Sequence, residues 1–332
     1  MSIFNEDHTI YISGSNGMVG SSICRLLVKN GYSNSNIKKK ILTPSRKELD
    51  LRNEYKLESY FNKEKPDIVI IAAAKVGGIM ANKSKPVDFL LHNLKIQNNL
   101  IEKSFQFGVK RLLFLGSSCI YPKFSRQPIK EKYLLTDCLE STNEYYAIAK
   151  IAGLKLCEAY RKQYNFDAIT LMPTNLYGPY DNYNLNESHV MPALIRKIYE
   201  AKKYNKKEIL CWGTGKTLRE FLYVDDLAEA CLFALKNWFP STKNAPKDED
   251  GNPLYWLNVG SKYEISIINL AKKISNLIGY EGEIHWDFNM PDGTPRKKLD
   301  TTQINNLGWF AKTDLNEGIK KTIKNFELEY RI

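Results

Sequence analysis

A tyrosine and a lysine lie four residues apart in Tyr146-Ala-Ile-Ala-Lys150, a spacing that places two side chains on one face of a helix. An ammonium beside a phenol stabilises the phenolate and lowers a pKa that is ordinarily about 10. Such a tyrosine can protonate a carbonyl oxygen near neutral pH. Ser117, at the end of a predicted strand upstream, can donate a hydrogen bond to the same oxygen. These three residue types in this order predict the reduction of a ketone.

Three glycines follow the first predicted strand, in Gly14-Ser-Asn-Gly17-Met-Val-Gly20, and open a predicted helix. Glycine at these positions permits a tight turn, the close approach of a pyrophosphate and close packing of the helix on the strand. The N-terminus of that helix offers free N–H groups to phosphates. The predicted dinucleotide contacts in this loop are Gly14, Asn16, Gly17, Met18, Val19 and Gly20.

The end of the second predicted strand distinguishes NAD from NADP. An acidic side chain there would bind the ribose hydroxyls and repel a 2′-phosphate. The sequence instead has Thr43-Pro-Ser-Arg46, with no acid before Glu48. Because Arg46 can pair with a 2′-phosphate, the sequence predicts NADP(H) as the cofactor.

Short apolar runs alternate with longer amphipathic ones over the first two thirds of the chain, the pattern of a parallel sheet with helices on both faces. Asp67–Ala74 is a continuous apolar run, as a strand buried on both faces requires. Long helices are predicted over Val87–Gly108 and Tyr145–Tyr164. The other strands predicted in this part are Thr9–Ser13, Lys40–Thr43, Arg111–Gly116 and Ala168–Pro173. The fold class is therefore α/β, a doubly wound Rossmann sheet.

Beyond residue 175 the alternation loosens, and a smaller α/β domain that binds the substrate is predicted. Strands are expected at Arg219–Val224 and Trp256–Val259 and a helix at Val190–Lys203. Residues 1–175 plus about 214–260 are predicted to form the cofactor-binding Rossmann domain. The substrate-binding domain is predicted to comprise about 176–213 plus 261–332.

The composition excludes several classes of protein. Of the 332 residues, 43% are hydrophobic and 26% charged, as in ordinary globular proteins. No apolar run approaches the roughly 18 residues that cross a bilayer, and the N-terminus lacks a secretory signal, so a cytoplasmic protein without membrane contact is expected. The net charge of +11 comes from dispersed lysines. It predicts attraction of a phosphate-bearing substrate but no nucleic acid. The six scattered cysteines predict neither disulfides nor a metal site.

Six segments together resemble one family of extended short-chain dehydrogenase/reductases, the GDP-L-fucose synthases. They cover nearly the whole chain: Gly116–Pro122, Asn143–Ile151, Met172–Pro179, Ser188–Ala193, Arg219–Asp226 and Asp292–Lys297. The resemblance implies an NADPH-dependent enzyme that reduces the C-4 ketone of a GDP-linked 4-keto-6-deoxy sugar. It also implies inversion at C-3 and C-5 before the reduction.

The resemblance assigns a role to each reacting side chain. Ser117 and Tyr146 bind and protonate the C-4 oxygen, while Lys150 binds the nicotinamide ribose and tunes the tyrosine. Inversion needs one group that removes a proton beside the ketone and another that returns one on the opposite face. Cys119 is the family's base and His189 its acid. The alternative interpretations are a small buried cysteine and a structural histidine.

The resemblance also implies further contacts at both ends of the site. Further cofactor contacts are Asp50, Ala73, Leu115, Gly116, Pro173, Asn175 and Leu176, together with Ser117, Tyr146, Lys150 and His189. The contacts to the GDP-sugar are Ser118, Cys119, Asn175, Val190, Lys197, Trp212, Arg219 and Lys297. Arg219 and Lys297 can neutralise phosphates, and Trp212 can pack on the base.

Four positions depart from the family pattern. Asn16 stands where an arginine often lies near the cofactor phosphate, and Lys197 replaces an arginine, which loses bidentate phosphate recognition. Tyr145 replaces a proline beside the reacting tyrosine, and Asn186-Glu187 alters the loop before the histidine. Because the last two changes lie next to the sugar pocket, an alternative stays open. It is a C-4 reductase that acts without epimerisation on a related GDP-4-keto-6-deoxy-heptose.

Two other classes share this fold. A dehydratase needs an acid directly after the strand-end serine, where this chain has Ser118-Cys119. A non-enzymatic NADP-sensing regulator typically loses the tyrosine or the lysine, and this chain has both. Extended members of the family commonly pair through two long helices, so a homodimer is expected, with Val87–Gly108 and Tyr145–Tyr164 as the pairing helices.

Overall fold

Buried apolar runs become the strands of one parallel sheet. Numbered along the whole chain, its strands are β1 (Ile10–Ser13), β2 (Ile41–Leu42), β3 (Ile68–Ile71), β4 (Arg111–Leu115), β5 (Ala168–Pro173) and β9 (Trp256–Val259). The computed structural model describes residues 7–35, 38–185 and 187–330, and the spatial order of these six strands is β2-β1-β3-β4-β5-β9. All residues of β3, β4 and β5 are buried, as in a sheet covered on both faces. This order confirms the doubly wound α/β fold.

Helices cover both faces of the large sheet. They are α1 (Met18–Lys29), α2 (Glu54–Glu64), α4 (Asn93–Gln106), α5 (Glu144–Tyr164) and α7 (Val224–Asn237), while the short α3 (Ile79–Ser84) lies in the connection after β3. On one face, α1 and α7 pack together around Ile23, Leu27 and Leu227. On the other face, α2, α4 and α5 share a core that includes Phe61 and Leu100. The carboxyl ends of the strands are left to form the site.

The helix predicted over Val87–Gly108 is not one continuous α-helix. Asp88–His92 forms a turn of π-helix, and α4 begins only at Asn93. The buried amide of Asn93 donates to the carbonyl of Phe89 at 2.6 Å and to that of Lys75 at 3.0 Å. Its oxygen accepts from the Lys75 N–H at 2.8 Å. The wider turn thus ties the helix to the loop after β3, in keeping with the frequency of π-turns near functional sites.

A second layer lies over the carboxyl edge of the large sheet. Its four-stranded sheet is built on β8 (Leu218–Tyr223), which pairs with β6 (Asn175–Tyr177), β10 (Glu264–Ser266) and β12 (Arg296–Lys297). A separate two-stranded sheet consists of β7 (Glu208–Trp212) and β11 (Glu283–Asp287). Its helices are α6 (Val190–Lys203), α8 (Ile267–Ile278) and α10 (Leu315–Tyr330). They share one core in which Ile195, Ile274 and Phe326 are fully buried.

The chain passes between the two parts several times. α7 and β9 lie with the large sheet, whereas β8, directly before α7, pairs within the smaller one. The short helix α9 (Thr302–Asn306) returns to the large part, where Ile304 and Trp309 join its core. The division into residues 1–175 plus about 214–260 and 176–213 plus 261–332 remains our proposal. β8 falls in the first part of this division but pairs within the smaller sheet, and α9 falls in the second part but packs on the large one.

Across residues 7–35, 38–185 and 187–330, no helix is long and apolar enough to cross a membrane. Within these same ranges, no three His, Cys, Asp or Glu side chains are grouped so that they could hold a metal ion. All six cysteines are free thiols. Asn186, one of the departures from the family pattern, lies outside the described residues.

Candidate active site

The turn after β1 brings backbone very close to backbone. Gly14 has a left-handed φ of +74°, and a Cβ there would lie 2.8 Å from the Ala73 backbone. A Cβ on Gly20 would overlap the Gly14 carbonyl. α1 begins after Gly17 with no side-chain cap and no acid in its first turn. Its first N–H groups are therefore available to a phosphate, and the turn fits a pyrophosphate.

Arg46 and Asp50 lie in the loop that follows β2. Arg52 donates from Nε to Oδ1 of Asp50 at 3.0 Å and from Nη2 to Oδ2 at 2.6 Å. This hydrogen-bonded pair, with a smaller effect from the charge of Arg46, lowers the pKa of Asp50. Glu48 accepts from the Ser45 N–H at 2.7 Å. Both carboxylates of the loop are thus engaged, while Arg46 is exposed.

Ser117, Tyr146 and Lys150 come together where β4 ends. Ser117 is the second residue after β4, and its hydroxyl lies close enough to the Tyr146 phenol to favour the phenolate by hydrogen bonding. Lys150 is buried one helical turn further along α5, and its Nζ donates to the Leu115 carbonyl at 2.8 Å. That Nζ lies 4.7 Å from the centre of the Phe114 ring and 6.0 Å from that of Tyr146. One strand end and one helix turn therefore hold all three groups.

Burial decides the protonation of this pair. It raises the pKa of the Tyr146 phenol, reinforced by the charge of Cys119 and opposed by the hydrogen bond from Ser117. It lowers the pKa of Lys150 to about 7. The Lys150 ammonium donates to the Leu115 carbonyl, and its charge does not outweigh the effect of burial on the pKa of the phenol. Tyr146 is therefore a protonated donor at neutral pH.

Cys119 lies beside two cations from the smaller sheet. The Lys297 Nζ is 3.5 Å and the Asn143 Nδ2 3.7 Å from its Sγ. Lys297 is the register partner of Arg219, because β12 runs beside β8. Burial lowers the pKa of Arg219, and the Cys119 charge opposes that change. The smaller sheet thus brings positive charge to the carboxyl end of β4.

His189 is the N-cap residue of α6 and is exposed to solvent. Desolvation by the nearby protein, followed by the charge of Lys297, lowers the pKa of its imidazole. The imidazole is therefore neutral at pH 7, with one nitrogen that donates and one that accepts. Lys297, whose Nζ lies 3.5 Å from the Cys119 Sγ, is thus close enough to His189 to affect its pKa.

A protonated phenol, a thiol, a neutral imidazole and two cations thus converge between the two parts of the molecule. The phenol and the Ser117 hydroxyl can hold and protonate a ketone oxygen. The thiol and the imidazole are two further groups that can exchange a proton on a carbon beside that ketone. The glycine turn opens on the same edge of the sheet, where dinucleotides bind in doubly wound folds.

Comparison with known proteins agrees with this geometry. The NAD dependent epimerase/dehydratase family matches residues 10–244. GDP-L-fucose synthase 1 of Arabidopsis thaliana is 49% identical over 321 residues, which cover 97% of this chain and 94% of the relative. The chain belongs to the GDP-L-fucose synthase family.

Solved structures share the whole fold. A GDP-6-OMe-4-keto-L-xylo-heptose reductase from C. jejuni has a TM-score of 0.89 and 34% identity, covering 98% of this chain and 99% of that one. A GDP-mannoheptose C4 reductase from Campylobacter jejuni, with NADP bound, has a TM-score of 0.84 and 33% identity over the same shares of the two chains. The GDP-L-fucose synthase fold is therefore close to that of heptose reductases.

Lys197 and Trp212, predicted from the GDP-L-fucose synthase family, form a pair of their own where α6 meets β7. The Lys197 Nζ donates to the Leu210 carbonyl at 2.6 Å and lies 5.9 Å from the centre of the Trp212 ring. Trp212 is 46% exposed. An exposed indole face can stack on a planar base. Val190, the first residue of α6, follows His189 directly.

The remaining residues predicted from the GDP-L-fucose synthase family lie at strand ends. They are Ala73 after β3, Leu115, Gly116 and Ser118 at the end of β4, and Pro173, Asn175 and Leu176 at β5 and β6. The Asn175 amide donates to the Glu220 carbonyl at 2.9 Å, which joins β6 to β8. Asn16 is exposed in the glycine turn.

Three contacts of the site had not been assigned from the sequence. Asn143 touches the thiol, and the Asp292 carbonyl accepts from Nη2 of Arg219 at 3.2 Å. The Phe89 ring packs edge-on against Tyr146, with 6.4 Å between ring centres. Asn143 and Asp292 stand inside segments that resemble the family, so a signal for them was present. Phe89 belongs to no such segment, and only the π-turn brings it to the tyrosine.

Proposed function

We propose that this chain is an NADPH-dependent enzyme that epimerises a GDP-4-keto-6-deoxy sugar at C-3 and C-5 and reduces its C-4 ketone. The observation that carries the proposal is the convergence of Tyr146, Cys119 and His189 with Lys297 in one cleft. The names of relatives agree with it: the plant relative is a GDP-L-fucose synthase, and a similar structure is a GDP-sugar C4 reductase with NADP bound.

The cofactor is NADP(H). The N–H groups in the first turn of α1 and the glycines before them fit its pyrophosphate. Arg46, an exposed cation of the loop after β2, is placed to pair with a 2′-phosphate. When bound, NADPH supplies the hydride for C-4. The chain supplies the proton, the orientation of the ketone and the exclusion of water.

Tyr146 donates the proton that the C-4 oxygen takes up during reduction. Burial keeps the phenol protonated at neutral pH, and the Ser117 hydroxyl is placed to hydrogen-bond the same oxygen. Lys150 orients the ribose of the cofactor and, as an ammonium, stabilises the phenolate left behind. Its pKa of about 7 lets it hold or release a proton near neutral pH.

Cys119 removes a proton from a carbon beside the ketone, and His189 returns one to the opposite face. The C-4 carbonyl acidifies the protons on both C-3 and C-5, so one pair of groups can serve both carbons. The Lys297 Nζ lies 3.5 Å from Sγ, so a cation stands beside the atom that takes up the proton. Desolvation and Lys297 lower the pKa of His189, so its imidazolium gives up a proton readily, and the neutral imidazole that remains is reprotonated from solvent.

The GDP end lies against the smaller part. Arg219 and Lys297 neutralise the diphosphate, with Arg219 oriented by the Asp292 carbonyl. Trp212 stacks on the guanine, and Lys197 lies beside that ring. Asn175, whose amide joins β6 to β8, lies at the wall between cofactor and sugar.

A second function keeps the reduction and omits the epimerisation, with a related GDP-4-keto-6-deoxy-heptose as substrate. Two observations favour it: the TM-score of 0.89 with a heptose reductase, and the exposed Tyr145 directly beside Tyr146. The presence of both Cys119 and His189 in the cleft favours the epimerase-reductase.

We also propose a cytoplasmic homodimer. Apolar side chains are exposed on the two helices predicted to pair, among them Leu91 at 43% and Ile148 at 45%. Pairing through these helices would bury them. Light scattering of the wild type and of Ile148→Glu tests the pairing: a dimer and a monomer, respectively, are expected.

The test of the activity is incubation with GDP-4-keto-6-deoxy-mannose and NADPH in deuterated water. We expect loss of the NADPH absorbance and deuterium at C-3 and C-5 of the product by NMR. Cys119→Ser and His189→Gln should lose the deuterium. Cys138→Ser, which removes an exposed thiol, is the matched control and should behave as wild type.

The other outcomes separate the alternatives. NADPH oxidation without deuterium at those carbons would establish a simple C-4 reductase. If NADPH is consumed only with the heptose, the substrate assignment is wrong. NADP binding without turnover of either sugar would contradict the enzyme and support an NADP-sensing regulator.

A further inference from the structure

The loop after β3 crosses the cleft and touches the smaller part through its main chain. The Gly78 N–H donates to the Glu187 carbonyl at 2.8 Å, and the Lys85 Nζ lies 2.6 Å from the Glu187 carboxylate. Ile79 Cδ1 lies 3.3 Å from where a Cβ on Gly293 would be. Residues Gly77–Ile79, called the bridge below, thus connect the large sheet to two separate segments of the smaller part.

Two buried side-chain amides hold the bridge in place, one on α3, which begins at the last residue of the bridge, and one at the start of α4. The Asn82 amide donates to the carbonyls of Gly77 and Gly78 at 2.8 and 3.0 Å. The Asn93 amide holds Lys75, just before the bridge, through hydrogen bonds of 2.8 and 3.0 Å. Because both amides are buried, water does not compete for these bonds, and the bridge has one well-defined position.

Position 78 requires glycine because there is no room for a side chain, and not because of its backbone conformation. Its φ of −70° and ψ of −177° are extended values that any residue adopts. A Cβ there, however, would overlap the Ser188 carbonyl oxygen, and one on Gly77 would lie 2.9 Å from the Ala81 Cβ. The atom that would be displaced at Ser188 belongs to main chain, which cannot rotate out of the way as a side chain can.

We propose that the bridge positions His189 for proton exchange at the carbons beside the ketone. Glu187 and Ser188 directly precede His189, so docking their carbonyls on the bridge sets the place at which α6 begins and from which the imidazole projects. This positioning role rests on the proposed function. The groups that protonate the C-4 oxygen are carried instead by β4 and α5. The bridge therefore affects proton exchange far more than it affects hydride transfer.

Gly78→Ala tests the bridge directly. The added methyl group pushes the 187–188 segment away, and a misplacement of about 1 Å costs a reaction about 100-fold in rate. We expect about 100-fold slower incorporation of deuterium at C-3 and C-5. The oxidation of GDP-L-fucose by NADP⁺, which needs only transfer at C-4, should change by less than about twofold.

A matched pair of lysine variants isolates the ion pair of the bridge. Lys85→Gln removes the contact with Glu187 and should slow deuterium incorporation by about two- to fivefold, as for an exposed ion pair. Lys132→Gln is the control. Lys132 is about as exposed as Lys85 and lies 2.5 Å from Glu249, which is 117 positions away, against 102 for Lys85 and Glu187. This control should leave both rates unchanged.

An unchanged rate of deuterium incorporation in folded Gly78→Ala would overturn the proposal, as would an equal loss of hydride transfer. If Gly78→Ala does not fold, as judged by thermal unfolding, the two lysine variants decide: equal behaviour of both contradicts the bridge.

If the wild type incorporates no deuterium at all, the proposed epimerisation fails, and the bridge is tested by NMR titration of the His189 imidazole. Displacement from Lys297 should raise the His189 pKa in Gly78→Ala, because that charge is one cause of its lowered value. An unchanged titration of His189 would then refute the positioning role.

Discussion

Each reacting side chain takes its protonation state from its surroundings. Burial keeps the Tyr146 phenol protonated and brings the pKa of Lys150 down to about 7. Desolvation by nearby protein and the charge of Lys297 lower the pKa of the exposed His189. At neutral pH the site therefore combines one certain proton donor with a lysine at the midpoint of its titration. In the mechanism we propose, loss of the Lys150 charge above that pH removes the cation that stabilises the Tyr146 phenolate, so ketone reduction should depend on pH.

The pH profile of ketone reduction should therefore fall above pH about 7, tenfold per unit at the limit of a single ionisation. In Lys150→Arg the guanidinium stays charged throughout this range, so the alkaline limb should move above pH about 9, at a lower maximal rate. Initial rates of NADPH oxidation between pH 6 and 10 measure both enzymes. If the rate of Lys150→Arg falls over the same pH range as that of the wild type, a group other than Lys150 titrates.

Asp50 and Arg52 predict a second property of single residues. Arg52 engages both oxygens of Asp50 in the loop assigned to the adenosine end, where an unpaired carboxylate would repel a 2′-phosphate. Arg52→Gln should therefore weaken binding of NADPH by about fivefold and leave NADH unchanged. Adding Asp50→Asn should restore NADPH binding. Isothermal titration calorimetry with both dinucleotides measures the effect.

Arg296→Gln is the control for that experiment. Arg296 also makes two hydrogen bonds to one carboxylate, that of Glu264, on the exposed side of the smaller sheet. It should leave both dinucleotides unaffected. If Asp50→Asn fails to restore NADPH binding, Arg52 contacts the phosphate itself and is not a neutraliser of Asp50.

At the scale of elements, the pattern of apolar residues predicts a helix or strand when that element buries a continuous face. β3 and β4 are apolar along their length and were predicted within two or three residues of their observed ends. α2 was not predicted, because Leu57 and Phe61 alone are buried on an otherwise polar helix. The π-turn at Asp88–His92 was not predicted either, because it interrupts a helical periodicity that the sequence continues.

The residues of the site also differ in how far the sequence alone predicts them. The glycine turn and the Tyr146/Lys150 pair are local in sequence, so their spacing carried the information. Cys119 and His189 required the family resemblance, since nothing in their neighbourhood identifies a partner. The contact between Gly78 and Glu187 joins residues more than a hundred positions apart, and no periodicity or motif encodes it.

Gly153 shows how two elements constrain one position of α5. A Cβ there would lie 2.6 Å from the Phe114 ring and 2.8 Å from the Gln97 side chain. Alanine is a better helix former by about 1 kcal/mol, but overpacking a core costs about 1–3 kcal/mol. Gly153→Ala should therefore lower the free energy of unfolding by about 1 kcal/mol, measured in urea. Phe114→Leu, which removes ring atoms, should reduce that loss when combined with it, and strict additivity would contradict the clash.

At the scale of the whole molecule, two buried glutamates lie where the parts join. Glu220 on β8 accepts from the Leu299 N–H at 2.9 Å, and Glu131 accepts from the Asn258 N–H of β9 at 3.0 Å. Burial raises the pKa of each carboxyl to about 7. The folded protein therefore holds protons on both groups at pH values where the unfolded chain has released them.

The stability of the protein should consequently depend on pH through these two carboxyl groups. Between pH about 4.5, where an unfolded glutamate ionises, and about 7, the folded state binds more protons, so its stability falls as the pH rises. The Glu220→Gln variant has no carboxyl group at position 220, so it does not show this fall in stability with rising pH. The free energy of unfolding of the variant relative to wild type should thus rise by about 2–3 kcal/mol between pH 5 and 8, measured in urea. Glu131→Gln should behave alike, and Glu249→Gln, at an exposed glutamate, should show no such change. A difference between variant and wild type that stays constant with pH would mean that Glu220 is ionised in the folded protein, and the joint between the two parts would then contain a buried charge.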